Sequence, residues 1–198
     1  AADTMRVYGL PESKIVVLPN AHDSSVFHSN IPSCKIRATL AELNLQGPYF
    51  LHVGAAQPRK NIPAIVQAFQ KLISRDQIAH SLVLLGGAGW NGPHGTMESI
   101  PETNRIIQSS SMSNQQVAHL MVGADALIMA GFYEGFGLPA LEAMACGTPV
   151  IAARAGALPE VVGDAGIYFD PNDPSELATI MDSLTKDEPL RRALARRG

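Results

Sequence analysis

The chain has 198 residues, 46% of them hydrophobic and 17% charged, with a formal net charge of -3. That is ample apolar material for one large or two small α/β domains, and the slight acidity argues against a nucleic-acid partner. No apolar run reaches the length of a bilayer span, Ala1-Ala-Asp-Thr-Met-Arg6 is unlike a secretory leader, and Cys34 and Cys146 sit in unrelated contexts. These observations give no support to a membrane-spanning, secreted or disulfide-stapled class, and a cytoplasmic protein is expected.

In chain order, Lys14-Ile-Val-Val-Leu18 predicts a strand closed by the turn Pro19-Asn-Ala-His-Asp23. Gly47-Pro48 opens a new segment, and the start of the compact domain is placed near here, giving residues 1–44 as a preceding segment and 45–198 as the domain. Tyr49-Phe-Leu-His-Val53 predicts a buried parallel strand. After the loop Gly54-Ala-Ala-Gln-Pro-Arg-Lys-Asn61, the spacing of Ile62, Ile65, Val66, Phe69 and Leu72 predicts an amphipathic helix. Arg59 and Lys60 then stand at a helix N-terminus against its dipole, an unfavourable placement unless a diphosphate lies between them.

Ser81-Leu-Val-Leu-Leu85 is the next predicted strand, and it runs into Gly86-Gly-Ala-Gly-Trp-Asn-Gly92. Gly87, Gly89 and Gly92 spell G-x-G-x-x-G after a strand, which keeps a dinucleotide-binding oxidoreductase domain as an alternative. Against it, Asn104-Arg-Ile-Ile-Gln108 ends without the acidic residue that the motif needs, and Pro93 and Gly95 disturb the helix start. Ser113 with Gln116 predicts a capping box for the following helix. Ala124-Asp-Ala-Leu-Ile-Met-Ala130 predicts another strand, Val150 to Ala153 and Ile167 to Phe169 two more, and Pro174 to Leu184 and Pro189 to Arg197 closing helices. Arg191, Arg192, Arg196 and Arg197 read as a solvated helix face, with anionic membrane contact as the alternative. Neither D-x-D nor H-x-x-x-H occurs, so no metal site is expected. Strands alternating with helices, without hairpins, predict a doubly wound, Rossmann-like parallel sheet whose ligand crevice is built from the loops after the strands.

The richest of those loops is Glu134-Gly-Phe-Gly-Leu-Pro-Ala-Leu-Glu142. Gly135 and Gly137 let backbone amides face a ligand, while Pro139 predicts the first residue of a helix that Gly147 ends. Unpaired amides at that helix start make an anion site suited to a phosphate. Glu134 in the turn and Glu142 in the first helical turn would repel a phosphate, so they are expected to face hydroxyl-bearing parts of the same ligand. A diphosphate flanked by polyols, as in a nucleotide sugar, satisfies both demands.

Glu134 and Glu142, the Gly135-Phe136-Gly137-Leu138-Pro139 between them, the following Ala143-Met-Ala-Cys-Gly-Thr-Pro-Val-Ile151, Leu158-Pro-Glu-Val-Val-Gly-Asp-Ala-Gly166 and Phe169-Asp-Pro-Asn-Asp173 resemble retaining glycosyltransferases of family 4, of the GT-B type. The resemblance implies the C-terminal, donor-binding half of such an enzyme, with residues 1–44 as the end of the N-terminal domain and the interdomain linker, and with an acceptor domain that this chain lacks. It implies catalytic roles for Glu134, Arg59 and Lys60, and substrate binding by Gly54, the Gly135 to Pro139 stretch and Glu142. Ala55 stands where the family has an arginine, and Arg59 is expected to take over. Gln57-Pro-Arg-Lys-Asn61 leans toward mannosyltransferases using GDP-mannose; no cofactor beyond that donor is implied, and no metal. The acceptor is expected to be a carbohydrate or a lipid-linked sugar, reached with peripheral contact to the inner face of the membrane. A nucleotide-sugar-binding module without turnover remains the non-enzyme alternative.

Overall fold

A computed structural model describes residues 2–74, 78–87, 100, 103–110 and 112–198. Helix α1 spans Ala2–Tyr8 and α2 spans Ser33–Glu42; then come β1 (Tyr49–Val53), α3 (Ile62–Ile73), β2 (Ser81–Leu85), β3 (Ile106–Ser109), α4 (Asn114–Gly123) and β4 (Ala126–Met129). The remainder is α5 (Leu138–Ala145), β5 (Val150–Ala153), α6 (Leu158–Val162), β6 (Gly166–Phe169), α7 (Pro174–Lys186) and α8 (Glu188–Ala195). The six strands form one all-parallel sheet in the order β3-β2-β1-β4-β5-β6. The chain therefore builds outward from β1 to β3, returns, and builds the other way from β4 to β6.

Every residue of β2, β4 and β5 is buried, as expected of strands covered by helices on both faces. Right-handed crossovers then place α3 on one face and α4 and α5 on the other. α7 crosses back to pack against α3, and α2 lies on α4. The apolar stripe of α3 is buried through Ile62, Ile65, Val66, Phe69 and Leu72. Ser113 caps α4 with the expected reciprocal bonds to Gln116.

One expectation is corrected. Lys14 to Leu18 is not a strand: Lys14 closes a short 3-10 turn, and Val16, Val17 and Leu18 are exposed at 80%, 66% and 82%. Their β propensity is real, but no strand lies beside them among the described residues, and a lone strand has nowhere to place its backbone hydrogen bonds. Packing also reaches further back than residue 45, because Phe27 is part of the core and the Thr39 hydroxyl meets His119 Nδ1 at 2.8 Å between α2 and α4. Of the glycine motif after β2, Gly89 and Gly92 lie outside the described residues.

Candidate functional site

The reversal of strand order falls between β1 and β4, so the loops leaving their carboxyl ends diverge and open a crevice. The first loop carries Gly54 and then a 3-10 turn, Pro58–Lys60, ahead of α3. The second runs from Ala130 to Gly137 and delivers Glu134. The loops are fastened to each other by backbone: Phe132 N–H donates to the Arg59 carbonyl at 2.8 Å. A third loop, after β5, supports the second, with Ala157 N–H donating to the Glu134 carbonyl at 3.2 Å. Gly156 makes that approach possible, since its φ is +55° and a methyl group there would lie 2.8 Å from both Glu134 N and O.

Inside this frame Lys60 Nζ donates to Glu134 Oε1 at 2.7 Å, and Arg59 Nη1 donates to Oε2 and to the Tyr133 carbonyl, each at 3.2 Å. Glu134 is 6% exposed and the Lys60 side chain 10%, while the Arg59 side chain stays 45% exposed. Two details of the sequence reading change here. The cations are not held unpartnered against the α3 dipole, because a carboxylate lying 74 positions beyond Lys60 is carried to them by the pairing of β1 with β4. Likewise each Glu134 oxygen already accepts one hydrogen bond from a cation, so a ligand hydroxyl would share the carboxylate with Lys60 and Arg59.

Helix α5 begins as expected after a left-handed residue, Gly137 at φ +99°, with no side-chain cap. The amides of Gly135, Phe136, Gly137 and Leu138 have no partner among the described residues, so they remain available to an anion. Pro139 adds no amide N–H, which confines the anion cradle to the residues before it. Because the helix starts at Leu138, Glu142 lies in the second turn rather than the first. It is half-buried; burial raises its carboxyl pKa, and the charge of nearby His22 works in the opposite direction. It makes no side-chain hydrogen bond among the described residues.

A cavity of about 200 Å³ continues the crevice over the ends of β1, β2 and β3, lined by Gly54, Leu85, Gly86, Ser109, Met112 and Val117 among others. The roomier groove, about 410 Å³ between the end of α3 and α7, is far from these loops and carries none of the site residues. Among the described residues no group of three or more acids, histidines and cysteines is arranged to hold a metal, and no helix is long and apolar enough to cross a membrane. Three of the four C-terminal arginines bond to the protein itself: Arg191 to the Leu184 carbonyl, Arg192 to Glu188, and Arg197 to the Asp164 carbonyl.

Residues 40–198 match the family described as glycosyl transferases group 1. The chain belongs to that family. An O-antigen chain mannosyltransferase B of Escherichia coli is 34% identical over 98% of this chain and 52% of its own length. The C-terminal domain of a group 1 glycosyl transferase from Francisella tularensis superposes with a TM-score of 0.74 at 25% identity, covering 88% of this chain and 93% of that one. HepE of Anabaena, solved in complex with UDP-glucose, shares the fold with a TM-score of 0.77 at 22% identity, over 89% of this chain and 49% of that one. The chain spans about half the length of the curated relatives it matches. The dinucleotide alternative finds no support in these matches.

Within the family frame, one feature of this group 1 glycosyl transferase escaped the sequence reading. His52 is fully buried beside Gly54 and the Lys60 stem, and burial, the largest cause, pushes its pKa down to about 4. The signal for it was a single polar residue inside the apolar run of β1, since a buried polar side chain is more informative than an exposed apolar one.

Proposed function

We propose that this chain holds the diphosphate of a nucleotide sugar across the β1/β4 crevice, and that the full-length protein transfers the sugar to an acceptor hydroxyl with retention of anomeric configuration. The observation that carries this is the placement, at one strand-order reversal, of a lysine–arginine pair and of the amides before α5 that have no partner among the described residues. Two cations against one carboxylate leave one net positive charge facing a ligand that is strongly anionic. As the nucleoside diphosphate departs, charge builds on its β-phosphate, and Lys60, Arg59 and the amides of Gly137 and Leu138 stand ready to stabilise it. The cavity over β1 to β3 takes the nucleoside, with Glu142 accepting from the ribose diol. Glu134 orients both cations and accepts from the transferring sugar once one of them turns to phosphate.

The donor is proposed to be GDP-mannose, supported by the mannosyltransferase relative; the UDP-glucose bound by HepE supports a uridine donor instead. Calorimetry with UDP, GDP and ADP and their sugars decides between them. Binding to the isolated chain is expected in the high micromolar to millimolar range, a few kcal/mol, because an open crevice leaves the diphosphate wet. No binding of any nucleoside diphosphate would sink the proposal. The full-length protein is proposed to act in the cytoplasm on a carbohydrate or lipid-linked acceptor, with a peripheral membrane contact.

A further inference from the structure

β1 buries two side chains with polar atoms, and while the Tyr49 hydroxyl donates to the Leu120 carbonyl, His52 is only partly satisfied. His52 is 1% exposed; its Nδ1 lies 2.9 Å from the Ile128 carbonyl oxygen on β4, and its buried Nε2 has no partner among the described residues. A carbonyl oxygen only accepts, so Nδ1 carries the proton. That tautomer leaves Nε2 a bare acceptor in the core, which is unfavourable unless a donor reaches it.

A donor close by is Lys60. A methyl group placed on Gly54 would stand 3.5 Å from His52 Nε2 and 3.4 Å from Lys60 Cε, so the ring nitrogen and the lysine stem share the space over Gly54. The ammonium itself is engaged with Glu134 Oε1 at 2.7 Å. Side by side there are thus a buried ammonium with more N–H groups than Glu134 uses and a buried acceptor with no donor. Burial and then the Lys60 charge hold the ring neutral against the opposing pull of the Ile128 carbonyl and of Glu134.

We propose that His52 is a positioning residue for Lys60: when a ligand diphosphate draws the ammonium toward itself, Nε2 accepts a hydrogen bond from one of its N–H groups and holds the charge over the phosphate. This rests on the reading that Lys60 grips the diphosphate. A lysine on a four-carbon stem has many rotamers, and a fixed acceptor at the base of its swing selects the one that faces the cradle. The imidazole serves only while uncharged, because a proton on Nε2 would remove the acceptor and set a like charge against Lys60.

Long-range 1H–15N spectra of the histidine rings, recorded on the chain with and without GDP and UDP, test this directly. The expected result is an Nδ1–H tautomer for His52 throughout, with the Nε2 resonance moving upfield as nucleoside diphosphate binds. In calorimetry, His52→Phe should weaken GDP or UDP about tenfold, the worth of a hydrogen bond to a charged group, and leave guanosine or uridine unchanged. His52→Gln, which keeps an acceptor near Nε2, should recover most of the loss, and in a Lys60→Gln background His52→Phe should add nothing. An Nε2–H tautomer, an Nε2 resonance that stays still while binding is measured, or equal losses for nucleoside and nucleoside diphosphate would each overturn the role. Should His52→Phe fail to fold, the ring spectra of the unaltered chain decide alone. If the unaltered chain binds neither GDP nor UDP, the diphosphate site itself is wrong, an outcome distinct from binding without His52.

Discussion

Glu134→Gln should weaken the fold and strengthen diphosphate binding at once. In the ligand-free protein Glu134 compensates a lysine whose side chain is 10% exposed and an arginine whose side chain is 45% exposed. Removing the carboxylate charge strands the buried ammonium, and breaking a buried pair from one side costs about 3–5 kcal/mol. Glutamine keeps an acceptor oxygen at 2.7 Å reach, so the lower end applies, about 3 kcal/mol, or roughly 6–12 °C in melting temperature for a chain of this size. Arg59 adds little, since an exposed guanidinium regains water. Lys60→Met should cost less than Glu134→Gln, because Glu134 then still has Arg59 at 3.2 Å and the methionine fills the space of the lysine stem. In the Lys60→Met background, Glu134→Gln should cost under about 1 kcal/mol, and the difference is the coupling of the pair. For the ligand the sign reverses: net charge at the cradle rises from one to two, worth on the order of 1 kcal/mol of diphosphate affinity, or about fivefold. Urea unfolding followed by circular dichroism gives the first quantity and calorimetry with GDP and UDP the second. If Glu134→Gln unfolds within about 0.5 kcal/mol of the parent, the pair is not the buried compensation described here.

Three further outcomes follow from the same geometry. Glu142→Ala should cost about 1.5–3 kcal/mol of nucleoside diphosphate binding, roughly ten- to a hundredfold, the range for a hydrogen bond to a charged group; unchanged affinity in a folded variant removes its place in the site. His52 has a folded pKa of about 4 against an ordinary 6.5, so the folded state binds fewer protons between those values. Its stabilising effect is complete above pH 6.5 and declines by about 3 kcal/mol as pH falls to 4, a slope that urea midpoints should show and His52→Phe should flatten. Gly156→Ala forces a side chain into a left-handed conformation and against the Glu134 backbone, and should cost about 2 kcal/mol or more, with weaker nucleotide binding because the Glu134 loop shifts. Stability equal to that of the parent would show that the loop yields.

Which parts of the molecule were legible in the sequence follows from how local their causes are. β1, β2 and β5 are short apolar runs bounded by glycine, proline or polar turns, and each appears where its run predicts. α5 is announced by Pro139 and stopped by Gly147, which is left-handed at φ +74°. Its first residue is Leu138 rather than Pro139, and that one-residue shift carries Glu142 from the end of the first turn to the start of the second. α2 was not located, because its sequence is polar and only Thr39 is fully buried; its place is set by α4, which lies far along the chain. Val16 to Leu18 erred in the opposite direction, since local propensity cannot supply the missing neighbour strand. The same limit governs the site. Arg59, Lys60 and Glu134 were each identifiable by residue type and loop, but their mutual pairing depends on β1 and β4 lying side by side across a strand-order reversal, which no local pattern encodes.

That pairing also determines which parts of the cradle are rigid. The backbones of the three loops are tied to one another by Phe132 N–H to Arg59 O and by Ala157 N–H to Glu134 O, and Asn61 Nδ2 adds a bond at 2.8 Å to the Pro171 carbonyl beyond β6. Loops after β1, β4, β5 and β6 are therefore held together before any ligand arrives, so little ordering entropy remains to be spent on them at binding. What stays adjustable is the charged tips. Arg59 is half in solvent, and the Lys60 ammonium, which gives Glu134 one of its three N–H groups, has others to turn to a phosphate. A fixed frame with adjustable charge contacts makes the internal ion pair and the ligand share the same cations. The stability of the free protein and its affinity for diphosphate should then change in opposite directions for substitutions at Glu134, and in the same direction for substitutions such as Gly156→Ala that disturb the frame.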